Sequence, residues 1–197
     1  GPDQNLFLLD GVPVYNANHL FGFMSVFNPD AVKSVQLYKG GFPARYGERL
    51  SSVVDIRMKE GNEKEIHGNF SVGLISSKLS LEGPIIKDKT SFVITGRRTY
   101  YDILAQPFII AANKDLDERT TGGYYFYDLN AKINHKFSDK SRLYLSSYLG
   151  RDRAYTRSRN ELNYADEDNN RVEFRDSYGL GWGNIITALR WNYLITN

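Results

Sequence analysis

The sequence predicts a mainly β chain in two parts, and three observations carry that prediction. Apolar and polar residues alternate over long stretches of the C-terminal region, the period of a strand with one dry and one wet face. Aromatic residues and glycine are abundant together, with 14 Tyr, 11 Phe, 2 Trp and 17 Gly, while the mean hydropathy is low; many half-buried strands fit that balance better than a helical bundle does. The polar, aperiodic run 61–66 divides a region of short strands and Gly/Pro-rich links from one of longer, alternating strands.

In the first region, Leu6 to Asp10 reads as a strand ending at the Asp10-Gly11 turn, with Val12 to Tyr15 leading away. Asn28 and Pro29 form a helix start, N-cap then first helical position. The apolar stretch behind them soon becomes the strand Ser34 to Tyr38, so the helix spans only a turn or two. A link bent by Gly40, Gly41, Pro43 and Gly47 then leads to a closing strand, Ser52 to Met58.

In the second region strands are expected near 66–74, 77–86, 90–101, 124–137, 141–152 and 178–195. Phe70, Val72 and Leu74 hold one phase and Leu79 and Leu81 the other, which requires a bulge or a tight hairpin between them. From Tyr125 to Phe137 the odd positions are Tyr125, Tyr127, Leu129, Ala131, Ile133, His135 and Phe137, and the even ones from Asp128 are Asp128, Asn130, Lys132, Asn134 and Lys136. Leu143, Leu145 and Leu149 continue the pattern, and Ile185, Thr187, Leu189, Trp191 and Tyr193 share the face of the last strand.

The connections are short around Lys87 to Lys89 and Ser138 to Lys140, and long at about Asp102 to Gly123 and Asp152 to Asp176. Tight turns at one end and long loops at the other is the outer-membrane barrel pattern, with Tyr124, Tyr125, Tyr127, Trp191 and Tyr193 at girdle positions. A soluble β-sandwich or lipocalin-like barrel produces the same alternation, so periodicity alone leaves both open.

Several function classes drop out. With 25 basic and 23 acidic residues the charge is too balanced for a nucleic-acid partner. No run of about 18 apolar residues exists to span a bilayer as a helix. The absence of Cys removes disulfides, thiolate metal sites and Cys nucleophiles. His19, His67 and His135 lack zinc-ligand spacing, and no G-x-S-x-G elbow or phosphate-cradling glycine loop is present. The run Asp166 to Asn170 lacks the Gly and spaced Glu of a Ca²⁺ loop, and Asp10 before Gly is usually turn chemistry rather than a catalytic acid. No catalytic residue, metal or cofactor is expected. Arg97 and Arg98, adjacent on a strand, place one cation on each face.

The segments Leu8 to Pro13, Asn28 to Gly40, Ala44 to Gly47 and Val53 to Arg57, in that order and spacing, resemble the plug domain of TonB-dependent outer-membrane receptors. Leu81-Glu82-Gly83-Pro84, Lys87 to Phe92 and Lys136 to Lys140 look like early barrel strands and their periplasmic turns, and the wording of 16–32 and 40–53 is closest to Bacteroidetes-type receptors. Gln36 stands where the usual residue is acidic, and Ser51-Ser52 where many members have a Gly pair.

The resemblance implies residues 1–60 as the C-terminal part of a plug, a small α+β unit. Residues 61–197 would then supply about six antiparallel strands of a barrel of roughly 22. It implies energy-coupled import of a scarce ligand (siderophore, glycan, peptide or cobalamin) across the bacterial outer membrane, without enzymatic chemistry. The expected partners are the inner-membrane TonB complex, whose contact motif would lie upstream, outer-membrane lipid, the rest of the barrel, the unidentified ligand and a surface lipoprotein. Tyr15, Asn16, Asn18 and His19 are expected at a ligand-facing plug apex. Arg45, Glu48, Arg49 and the inward one of Arg97 and Arg98 are expected in polar plug–barrel contacts. The rival reading is a soluble β-rich binding module such as a carbohydrate-binding domain.

Overall fold

The computed structural model describes residues 5–15, 18–19, 24–39, 52–114, 118–165 and 171–195, which form three sheets. The N-terminal unit is built on a sheet of order β2-β1-β6-β5, with β1 Asn5–Leu9, β2 Val12–Pro13, β5 Val32–Lys39 and β6 Ser52–Met58. β1 runs parallel to β6 and the other pairs are antiparallel. Asp10 and Gly11 join β1 to β2 at φ of 50° and 90°, the left-handed backbone of a two-residue hairpin that Asp-Gly favours. Asn28 caps a single 3-10 turn, Pro29–Ala31, by accepting from the Asp30 amide at 3.1 Å. β3 Asn18–His19 and β4 Met24–Ser25 pair as a separate two-residue ladder.

The large sheet is an antiparallel meander in which each strand bonds to the next: β7 His67–Val72, β8 Ser76–Ile86, β9 Thr90–Thr99, β10 Glu118–Ser138, β11 Ser141–Ala165 and β12 Arg171–Tyr193. The phase change between Val72 and Leu79 is a hairpin, closed by the Gly73 amide on the Ser76 carbonyl at 2.9 Å. β8 turns into β9 through Asp88 at φ 58°, and β10 into β11 through Asp139 and Lys140.

Two expected long loops are corrected. The segment after β9 carries two short helices, α1 Tyr101–Leu104 and α2 Gln106–Ala112, and β10 begins at Glu118 rather than near 124. The helices cover the edge of β10 beyond the end of β9. The Gln106 side chain donates to the Gly122 carbonyl at 3.4 Å, and Asn113 both donates to the Thr120 carbonyl at 2.6 Å and accepts from its amide at 3.2 Å. These contacts occupy backbone groups that an open edge would leave bare. The stretch after Asp152 is strand, not loop: β11 and β12 stay paired out to Ala165 and Arg171. From Arg153 to Arg159 both phases of β11 are largely polar, so little hydrophobic contrast marks that half of the ladder in the sequence.

The two faces of the large sheet differ. One buries Val93, Thr95, Arg97 and Thr99 of β9, Phe126, Asp128, Asn130, Lys132 and Asn134 of β10, and Tyr144, Ser146, Tyr148 and Asp152 of β11. The N-terminal unit packs on that face, and its core of Leu9, Val14, Val26, Ile56 and Met58 is completed by Tyr148 from the sheet. On the opposite face Leu79, Leu81, Ile94, Leu129, Ile133, Leu145, Ile185, Leu189 and Trp191 stand exposed, in cross-strand rows such as Ile133, Leu145 and Leu189. Near the short turns Phe137, Trp191 and Tyr193 are exposed too. Tyr124 leaves the expected girdle, because its hydroxyl turns to the inner face and donates to Asp152.

Candidate functional site

Three groups of contacts fasten the N-terminal unit to the inner face of the large sheet. The first centres on His19, 2% exposed, which β3 presents to the wall. Its Nε2 lies 2.5 Å from Asp128 Oδ1 and its Nδ1 2.6 Å from Asp152 Oδ2, while the ring stacks on Phe126 at 4.1 Å. Asp128 also accepts from Arg97 Nε at 2.7 Å, from Arg97 Nη2 and from the Tyr148 hydroxyl at 2.9 Å. Arg97 reaches across to donate to the Ser25 carbonyl of β4 at 2.8 Å. Alternation makes this possible, since Asp128 on β10 and Tyr148 and Asp152 on β11 share the inward phase. Gly150 sits between Tyr148 and Asp152 with no side chain because a Cβ there would collide with the Tyr148 hydroxyl.

Both nitrogens of an imidazole can donate at once only when the ring is protonated. The cluster therefore sets two carboxylates against a guanidinium and an imidazolium. Burial alone would lower the His19 pKa, but the hydrogen bonds and charges of Asp128 and then Asp152 outweigh it, and the pKa is raised above its ordinary value. A folded-state pKa above the unfolded one stabilises fully below the unfolded value and loses its contribution as pH rises through the folded one. Docking of the N-terminal unit is thus expected to be strongest below about pH 6.5 and to weaken above it as His19 loses its proton. Limited proteolysis of the intact protein across that range checks this: cleavage of the N-terminal unit should accelerate toward alkaline pH, and His19→Asn should flatten the profile.

The second group is built on the Asp10 turn. Lys132 of β10, buried, places Nζ 3.0 Å from Asp10 Oδ2 and donates to the Met58 carbonyl at 3.2 Å. Asp10 in turn accepts from the Met58 amide at 3.2 Å, so one wall lysine meets both the β1 turn and the end of β6. The Tyr144 ring lies 5.4 Å from the ammonium.

The third group gathers at Glu60. Its carboxylate faces Lys33 at 3.2 Å and Arg142 of β11 at 3.7 Å, and Arg142 also meets Glu63 at 2.9 Å. The Glu60 carbonyl accepts from Asn134 at 2.5 Å and from the Ser91 hydroxyl at 2.8 Å.

Among the residues singled out from sequence, Arg97 faces inward, whereas Arg98 points outward to Asp102 at 3.1 Å and over the Tyr125 ring. Tyr15 is 87% exposed. His19, expected at a ligand-facing apex, lies instead against the wall, where two carboxylates hold it. Asn18 belongs to β3 opposite Ser25; Asn16, Arg45, Glu48 and Arg49 lie outside the described residues. Sequence reasoning missed the wall partners Asp128, Asp152, Lys132 and Arg142. The available signal was charge on the wet phase in mid-strand, where a merely solvated face does not require it.

Residues 1–54 match the TonB-dependent receptor plug domain family. Among solved structures, the chain is similar in fold to the siderophore receptor PirA from Acinetobacter baumannii, with 16% identity, a TM-score of 0.50 and coverage of 93% of this chain and 33% of that one. A mutant of the ferric enterobactin receptor PfeA from Pseudomonas aeruginosa, in complex with enterobactin, matches with 18% identity, a TM-score of 0.50 and coverage of 95% and 34%. The chain thus spans about a third of the length of these receptors. No curated protein sequence matches it. Residues 1–54 match the plug-domain family, and the six antiparallel strands that follow share the fold of the barrel wall in these receptors.

Proposed function

We propose that the protein imports a scarce ligand across the bacterial outer membrane, with the plug closing the barrel until pull from an inner-membrane TonB complex rearranges it. One observation carries the reading: a plug held to the inner wall by a few discrete, buried polar contacts, behind a wall whose outer face is exposed and apolar. Ionic contacts of this kind close the pore in the resting state. They are also short-ranged, so a small displacement breaks them together. The apolar outer face suits hydrocarbon, and further barrel strands would pair the outer edges of β7 and β12, since lipid does not tolerate an open edge. The inward residues at and above the His19 layer, Trp182, Tyr124, Leu180 and Tyr178, would line the path from outside. Siderophore, glycan, peptide and cobalamin all fit such a lining, and no covalent chemistry is assigned.

The test uses the intact receptor in cells. Wild type should fractionate with the outer membrane and exclude vancomycin, and uptake of its ligand should stop when TonB is deleted. Recovery in the soluble fraction, or uptake indifferent to TonB, would overturn the reading.

A further inference from the structure

Far beyond the apolar band, β10, β11 and β12 continue together as a polar extension whose outer face is ordered row by row. Leu129, Leu149 and Ile185 form the last apolar row across the three strands. The third row out from it is Gly123, Tyr155 and Gly179, the fourth Thr121, Arg157 and Ser177, and the fifth Arg119, Arg159 and Arg175. The two glycines give the Tyr155 side chain room to lean across the sheet: a Cβ at Gly123 would come within 2.9 Å of its hydroxyl, while one at Gly179 would meet nothing closer than 3.8 Å. The Arg157 guanidinium lies 5.3 Å from the centre of the Tyr155 ring. The fourth and fifth rows line a concavity of about 480 Å³, where, among the described residues, four arginines stand against one acidic residue, Asp176.

Neighbouring strands are about 4.8 Å apart, so Arg119, Arg159 and Arg175 set three positive charges in a line about 10 Å long. Like charges directly opposite one another destabilise a ladder. Carboxylates laid across the three strands reverse that cost, because guanidinium groups bind carboxylate bidentately. The matching ligand carries its charges at close to the strand spacing. An extended acidic peptide repeats its side chains on one face at about 7 Å, out of step with the arginines, whereas an extended sugar chain advances by close to one strand spacing per residue. The lower rows add what a sugar needs besides charge: the hydroxyls of Thr121 and Ser177, which both donate and accept, and an aromatic face for the C–H side of a sugar ring. We propose that this face binds an extended acidic polysaccharide, a chain of uronic-acid residues. Its carboxylates pair with Arg119, Arg159 and Arg175, and a sugar further along the chain stacks on Tyr155. The arginine row stands about 25 Å in height past the apolar band at the usual strand tilt, away from the bilayer surface and outside the lumen. The site therefore goes beyond import and does not depend on it.

The experiment uses the intact receptor purified in neutral detergent and titrated with oligogalacturonate, with its methyl ester, polyphosphate and polyglutamate as the other arms. Wild type should bind oligogalacturonate more tightly than any of the three. The triple variant Arg119→Gln, Arg159→Gln, Arg175→Gln should lose at least about tenfold in affinity. Tyr155→Ser should weaken oligogalacturonate several-fold and leave the weaker polyphosphate binding unchanged. No binding of oligogalacturonate, or equal binding of the methyl ester, polyphosphate or polyglutamate, would overturn the proposal, as would an unchanged affinity in either variant. The wild-type arms decide even if a variant does not fold. Uptake indifferent to TonB would overturn the import reading and leave this site standing, because binding is read without transport.

Discussion

Replacing Asp128 by Asn is expected to release the plug from the wall more than any other single change. The substitution keeps the volume and removes the charge that Arg97 and His19 share, so a guanidinium and an imidazolium remain buried beside one carboxylate. Breaking a buried pair from one side costs about 3–5 kcal/mol, here set against docking of the plug rather than folding of the barrel. Native-state hydrogen exchange of the intact receptor should show β3, β4 and β1 losing protection by that amount, with β8 and β9 unchanged. Cells should become sensitive to vancomycin. Equal protection in Asp128→Asn and wild type would mean that the His19 cluster does not hold the plug.

The second large effect is expected at Lys132. Lys132→Met retains much of the aliphatic stem but leaves Asp10 buried without this counter-charge and removes one donor from the Met58 carbonyl. A cost of about 3–5 kcal/mol follows from the same asymmetry. Adding Asp10→Asn should recover part of it, because the neutral amide no longer needs the ammonium and can still accept from the Met58 amide. A double-mutant cycle on plug protection should therefore give a coupling well above the ~1 kcal/mol typical of exposed pairs. Additive losses would place the two residues in separate roles.

Much of this architecture is legible in the sequence because it rests on local rules. The Asp10-Gly11 turn, the Asn28 cap and the alternation through Tyr125 to Phe137 each follow from neighbouring residues. The pairings that make the site do not. His19 meets Asp128 across 109 residues and Lys132 meets Asp10 across 122, so each partner reads alone as a solvated charge or a turn residue. Arg97 and Arg98 were separable by face from alternation, but which of them faced inward depended on the register of β9 against β10. The outer half of β11 lacks such a mark for a different reason. Arg153 to Arg159 is largely polar on both phases, and a strand that buries neither face carries no hydrophobic period. The helix α2 did leave a signal, Pro107 at its start before the apolar run Phe108 to Ala112, which the length of the connection obscured.

The central claim is that the large sheet is a membrane wall with lipid on one side and plug on the other. It is tested most directly by spin labels at the adjacent positions Leu145 and Ser146, in a chain that has no Cys of its own. In the intact receptor reconstituted in bilayers, a label at Leu145→Cys should collide with oxygen dissolved in lipid and hardly with a water-soluble nickel chelate. A label at Ser146→Cys, on the buried face, should be shielded from both. Free access of the nickel chelate to the label at 145, comparable to one at the exposed turn residue Asp139, would contradict the account.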